Sequence, residues 1–423
     1  MQIKEMGDKE KDKIAAGEMN ATDKEYIKSM RKYYFSTGIG DGTSTLCRAN
    51  MVYGLAKIHL VQKELGMETN AHFISTPDET ISRNVGRWNS GFGYGGKLSW
   101  GNGSEKVVIL DVKPNYCGIL VGGLESIPKP EDLISRIHDF LLESFFIDNF
   151  KLQSDFSKSN HFIDLFELAP FKDMELPTHL PPYVFFIHGS CPELRDANDK
   201  GPGLYWNHSN AIQEMQEELN THYGKIHYLL DDNAKKFLQY CEYADAFSKK
   251  KRKIVADFLF GDFKEISNPT HQGLLNYNTI LLGAQNTLDP SVKSNIFPIA
   301  LRGDLPAYLF SGRPNMNQEV IENLGFTKRA EKLGLMDNLL NVNIIPHGGG
   351  YRFSEISEAT DVFTVKGRRY FVCEMENDMG KKIVEEVSAL EFSYRGKDVM
   401  RKTRELELGN PVAKLIPKYV LKI

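Results

Sequence analysis

The stretch DFSKSNHFIDLFEL, residues 155–168, decides how this chain is read. Its first half is polar and turn-forming. Its second half is apolar at Phe162, Ile163, Leu165, Phe166 and Leu168, which predicts a buried strand. His161 stands at the mouth of that strand, with Asn160 before it and Asp164 three residues later. One histidine in that setting is more often a satisfied core residue than a ligand. The pattern recurs, however. PPYVFFIHGS (181–190) ends an apolar strand on His188, and NVNIIPHGGG (341–350) ends one on His347. His271 sits in a turn, NPTHQGLL (268–275), and Cys117 lies between apolar runs in PNYCGILVGG (114–123).

Rigid strands position what their ends and loops carry, so reactive groups gather there. A cysteine sulfur with several neutral imidazoles is a soft-to-borderline donor set, suited to Zn, Mn, Fe or Co. The long spacings match no zinc-finger signature, so the set must converge by folding. His347 differs from the others because three glycines follow it. Backbone without side chains lets a bulky group approach the ring, and an imidazole nitrogen can act as a covalent nucleophile. A glycine-rich turn carrying one more ligand explains the same residues equally well.

The chain has 423 residues, 41% hydrophobic and 26% charged, enough for one large core or two to three smaller ones. Its net charge of −4 argues against coating nucleic acid by bulk charge and leaves room for a local basic groove. The five cysteines form no CxxC pair and are odd in number, which points away from a disulfide scaffold and toward the cytoplasm. The N-terminal stretch MQIKEMGDKEKDKIAAGEM lacks an apolar signal region, and no apolar run reaches membrane-spanning length, so no membrane association is expected.

Strands and helices interleave without a regular βαβ rhythm, which predicts an α+β fold in one large domain. Residues 1–33 read as a peripheral helical segment and 34–423 as the main domain. Gly38, Gly40 and Gly42 precede a helix of about five turns and read as its cap rather than a phosphate loop. Residues 130–147 read as an amphipathic helix, 210–266 as mostly helical, and Lys397–Lys414 as a charged helix before a closing strand. The basic run SKKKRK (248–253) reads as solvated lysines on a helix, with RNA contacts as the alternative. Cys47, Cys241 and Cys373 read as buried thiols, and His72, His138 and His208 as ordinary histidines.

In their order along the chain, PNYCGILVGG, SNHFIDLFEL, FFIHGS, NPTHQGLL, PIALRGDLPAYLFSG, IIPHGGGYRFS and KLIPKYVLKI resemble the RtcB family of RNA ligases. The likeness covers about residues 110–350 and the tail. It implies a central mixed or antiparallel β core with surrounding helices. It also implies GTP- and Mn-dependent joining of an RNA 3′-phosphate or 2′,3′-cyclic phosphate to a 5′-hydroxyl, through a histidine–GMP intermediate. By the same resemblance, Cys117 would bridge two metals, His161 would hold one, and His188 with His271 the other. Mn is the expected metal, with Zn or Co as substitutes. His347 would take the guanylate. Asn160, Asp164, Gly348, Gly349 and Lys422 would contact the nucleotide, and Arg195 and Arg352 the RNA. An activating protein partner also belongs to this picture.

The chain departs from the family in several places. The aspartate expected three residues before the metal cysteine is Pro114, leaving Asn115 or Asp111 as stand-ins. Arg195 sits further from His188 than the family's arginine does. Tyr351 then Arg352 follow the glycines, and the serine-bearing nucleotide loop has become ALRGDLP. Two further functions therefore stay open: a metal-dependent phosphotransferase or phosphodiesterase with another substrate, and an inactive RNA-binding paralogue.

Overall fold

The computed structural model describes residues 19–156, 160–172, 174–313, 316–377 and 380–421. Lys422 and residues 1–18 lie outside the described residues. The fold is α+β, with several sheets. The predicted strand runs Phe162–Ala169 and sits mid-way in a seven-stranded sheet. In spatial order that sheet holds Lys264–Ser267, Gly118–Leu124, Tyr183–Gly189, Phe162–Ala169, Gly409–Leu421, Ala307–Gly312 and Ile296–Ile299. Every neighbouring pair is antiparallel, and the sheet curls into a nearly closed barrel.

The apolar run in Phe162–Ala169 is nearly continuous because both faces of the strand are covered. Ile163 and Leu165 pack with Leu120, Phe185, Ile187, Val255 and Leu259 on one side. Phe166 and Leu168 pack with Val121, Phe186, Leu309 and Leu415 on the other. Burying one such side chain stabilises the fold by about 1.5–3 kcal/mol.

Strand register gathers the candidate ligands at one end of this sheet. His188 pairs with Phe162 on one side and Ile119 on the other. His161 and Cys117 are the residues just before those two partners' strands. Thr270 bridges to Gly118, and the His271 amide donates to the Cys117 carbonyl at 2.9 Å. Backbone pairing thus brings together four residues distant in sequence.

A second, mixed sheet contains Tyr34–Phe35, His72–Ile81, Gly93–Ser99, Thr279–Leu282 and Leu274–Asn276, in that order. Tyr34–Phe35 pairs parallel to His72–Ile81, and the remaining neighbours are antiparallel. The helix Gly42–Glu64 packs on it. Asp41 caps that helix through the Ser44 amide and accepts two hydrogen bonds from Arg395, so the glycine turn is a cap as expected. Residues 19–33 pack on the main domain, because Ile27, Met30 and Tyr33 enter the main apolar cluster.

Two helices end short of their expected bounds. The helix expected over 130–147 ends at Leu142, and Leu141 is 49% exposed. Residues 210–266 are mostly helical as expected, in Asn210–Met215 and Asp231–Phe260, with an unexpected hairpin of Glu217–Thr221 and Gly224–Leu230 between the two. Gly224, at φ 106°, supplies the conformation that the turn needs. The charged helix in the tail stops at Glu405, and Gly409–Leu421 is strand. Glu407 has left the helical region with φ 52°, and Pro411 cannot continue a helix.

The basic run also differs. Lys251 and Arg252 are each 1% exposed. The Lys251 Nζ lies 3.2 Å from Asp155 Oδ1 and 2.9 Å from Glu193 Oε1. Arg252 donates to the carbonyls of Tyr116 and Gly189 and to the side chain of Asn268. Charges that deep are tolerated only when fully paired. Replacing Lys251 by methionine keeps the volume and strands two buried carboxylates. Urea unfolding of Lys251→Met should therefore show a loss of about 3–5 kcal/mol, whereas Lys250→Met on the same helix should change little.

Candidate metal centre

The Cys117 sulfur lies 3.2 Å from His161 Nε2 and 3.0 Å from His188 Nε2. His188 Nε2 lies 3.3 Å from His271 Nε2. The His271 and His347 ring centroids are 4.5 Å apart. All five residues are buried. The structure thus brings together Cys117, His161, His188, His271 and His347, as the sequence pattern requires.

The tautomers follow from the outer partners. His161 Nδ1 donates to the Asp155 backbone carbonyl at 3.1 Å, and the Asp155 carboxylate Oδ2 also lies 3.1 Å from it. His188 Nδ1 donates to the Asn160 carbonyl at 3.0 Å. In the neutral rings both Nε2 atoms then carry lone pairs aimed at sulfur. Zinc bonds of about 2.0–2.3 Å to nitrogen and sulfur set such donors roughly 3.3–3.6 Å apart, close to the spacing seen. Cys117, His161 and His188 have donor atoms all within 4.8 Å of one another, a geometry that fits a metal ion. The outer carboxylate and carbonyl fix ring orientation as in other histidine metal sites.

Electrostatics separate the rings. Burial opposes protonation of His161, but the Cys117 sulfur and Asp155 outweigh it and push its pKa up to about 10. Burial, reinforced by the neighbouring His161 and His347, holds His188 well below the usual range. Burial likewise lowers His271, with His347 and His188 adding to it. Burial would raise Asp155, but Lys251 and His161 prevail and hold its carboxyl below the usual range.

His347 is set apart by its own partner. Its Nδ1 donates to Asp78 Oδ2 at 2.8 Å, so Nε2 carries the lone pair. Asp78 is locked in turn by Thr76 and the Gly348 amide. The three glycines serve close packing more than open approach. A Cβ on Gly348 would lie 2.4 Å from the Ala300 carbonyl oxygen, one on Gly349 2.7 Å from that of Arg395, and one on Gly350 2.3 Å from that of Asp78.

Two clefts meet at this centre. One, with about 730 Å³ of empty space including its mouth, is lined by Asn160, Phe162, Asp164, Leu301, His347, Gly348, Gly349, Tyr394 and Val420. The other, of about 1230 Å³, is polar and lined by Arg83, Arg87, Arg195, Asn115, Cys117, Asp155 and His161. Asn160 and Tyr94 border both. Arg195 therefore does reach the centre's polar side. Arg352 is exposed on the short strand Tyr351–Arg352 and lines neither cleft.

The stand-ins for the family's aspartate are engaged elsewhere. Asn115 Oδ1 accepts from the Cys117 amide at 3.0 Å. Asp111 pairs with His227 and with the Ser90 hydroxyl. Asp78, Asp155, Arg83 and Arg87 also border or serve this centre, though no motif in the sequence marks them. The available signal for Asp78 is the pair Asp78-Glu79 inside a strand, HFISTPDETI, that is buried throughout. Adjacent carboxylates in a fully buried strand need partners, and such sites are often functional.

No protein-family model matches this chain, and no curated protein is similar to it. The geometry predicts two metal-binding effects. Asp155→Asn should weaken metal affinity about 10–100-fold by loosening His161, measured by competition with a chelating dye. A metal must also expel the His161 proton, which the metal-free ring keeps below its raised pKa of about 10. Affinity should therefore fall as pH drops from about 8 to about 6, with proton release visible by calorimetry in buffers of different ionisation enthalpy.

Proposed function

We propose that the chain is a divergent RtcB-like RNA ligase, cytoplasmic and GTP-dependent, that carries a guanylate on His347. The observation that carries this reading is the His347–Asp78 pair at 2.8 Å, set between the cysteine–histidine cluster and a glycine-walled cleft. An orienting carboxylate on Nδ1 makes Nε2 the nucleophilic nitrogen, as in other activated-nucleophile arrangements. Five free, buried cysteines accord with a reducing compartment.

In the proposed reaction His347 Nε2 attacks the α-phosphorus of GTP. A nitrogen–phosphorus bond forms, the bond to the β-phosphate oxygen breaks, and pyrophosphate leaves. A 3′-phosphate oxygen of RNA then attacks the same phosphorus and frees His347. Finally the 5′-hydroxyl attacks the activated 3′-phosphate, GMP leaves, and the hydroxyl proton passes to solvent. A 2′,3′-cyclic end is first opened by water to the 3′-phosphate. A metal held by Cys117, His161, His188 and His271 would neutralise phosphate charge and polarise phosphorus–oxygen bonds.

The two clefts suit the two substrates. Phe162, Leu301, Tyr394 and Val420 offer apolar walls to a nucleobase, while Arg83, Arg87 and Arg195 offer cationic groups to RNA phosphates. Phosphoryl transfer depends on such placement and charge neutralisation more than on proton transfer.

Incubation with α-labelled GTP and a divalent metal should give an acid-labile covalent label. His347→Ala should abolish it, and Asp78→Asn should slow its formation by about a hundredfold or more. Absence of label on the intact protein under every metal tested would sink the ligase. Bound metal without label would favour a phosphotransferase or phosphodiesterase instead.

A further inference from the structure

The family resemblance implies a pair of manganese ions, and this chain's donors do not fit such a pair. Mn²⁺ favours oxygen ligands, carboxylates above all, whereas thiolate with imidazole selects zinc-like ions. Among the described residues, no aspartate or glutamate joins the group formed by Cys117, His161 and His188. Where the family places a metal-binding aspartate, this chain has Pro114, which offers no side-chain donor.

The nearby carboxylates are committed elsewhere. Asp155 Oδ2 accepts from the Ser190 amide and hydroxyl, and its Oδ1 faces Lys251. Asp78 holds His347 and Thr76. Asp111 is held by His227, and the amide oxygen of Asn115 by the Cys117 amide. Asp155 and Asn115 touch the cluster only from behind, at the His161 Nδ1 and the Cys117 amide, and none of these oxygens belongs to the set of mutually close donor atoms.

The donors are also tightly drawn. The sulfur lies 3.0 and 3.2 Å from the two imidazole nitrogens, and all three donor atoms fall within 4.8 Å of one another, compact enough for one ion. Two ions sharing a site sit about 3.5–4 Å apart, and each needs its own set of ligands. Here the His161 side would offer a second ion only His161 and a shared sulfur.

We propose that Cys117, His161 and His188 hold a single zinc-class ion, rather than a manganese pair, with His271 adjoining through His188. The inference deepens the site described above. It stands or falls on metal content, independently of nucleotide transfer.

The test uses the full chain, stripped with chelator and dialysed against Zn²⁺, Mn²⁺, or both with Mn²⁺ in tenfold excess. Elemental analysis should find about one equivalent of zinc, retained against the excess manganese. Two equivalents of manganese, or displacement of zinc by manganese, would overturn the inference. Cobalt substitution of the unmutated protein should give a sulfur-to-cobalt charge-transfer band in the near ultraviolet. A missing band would remove Cys117 from the ligand set, which avoids reliance on a Cys117 variant that fails to fold. His347→Ala should keep its zinc. A protein with one zinc and no guanylate label upholds this inference while removing the ligase, so the two fail separately.

Discussion

The site depends on two adjacent cations, Lys251 and Arg252, buried where the long helix Asp231–Phe260 crosses the ligand-bearing end of the barrel. Arg252 hydrogen-bonds the carbonyls just before Cys117 and just after His188, and the side chain of Asn268, three residues before His271. Lys251 bonds the Ser190 carbonyl and the carboxylate that orients His161. Four segments from distant parts of the chain are thereby referred to one rigid helix. The fork of a guanidinium can serve three acceptors in fixed directions, which an ammonium cannot. Gly118 is glycine for the same reason: a Cβ there would lie 2.6 Å from an Arg252 nitrogen and 2.4 Å from the Pro269 carbonyl oxygen.

Burying these cations is expensive and is offset by the carboxylates around Lys251 and the carbonyl, amide and hydroxyl acceptors around Arg252. Such a cluster does not reward looseness. If one partner moves, an uncompensated charge remains, so the helix and the strand ends hold a single arrangement. Metal ligation needs that kind of preorganisation, because ligands that wander by an ångström lose affinity steeply. Stability of the barrel end and quality of the donor geometry are thus the same property seen twice.

The strands and their histidines were legible because burial on both faces leaves a continuous apolar run, and a polar residue that ends such a run stands out. The long-range convergence followed once those runs were placed as neighbouring strands. What could not be read were charges whose burial is decided by tertiary contacts. SKKKRK has the composition of a solvated helix face, and nothing local distinguishes Lys251 and Arg252 from Lys249 and Lys250. Helical periodicity places these four residues around the whole circumference, and only the position of the barrel selects which pair is buried. Asp155 and Asp78 were hidden for a related reason. Each serves a histidine that is either close in sequence but in a turn, or 269 residues away. The HGGG run was legible as special but not for its cause, since the strands its glycines admit come from 300 and 395.

The placement of carboxylates gives this centre its character. Where a carboxylate binds a metal directly it lowers the ion's charge and hardens the ligand set. Here Asp155 and Asp78 stand one step back, each on the Nδ1 of an imidazole. That position raises the donor strength of the opposite nitrogen, so their negative charge reaches the centre through the ring. For His161 and His347 alike this enriches the lone pair on Nε2. Pro114 and the capping role of Asn115 then follow as consequences. With the charge delivered through imidazoles, the centre needs no further carboxylate beside Cys117, and Asn115 fills that place as a neutral acceptor for the Cys117 amide.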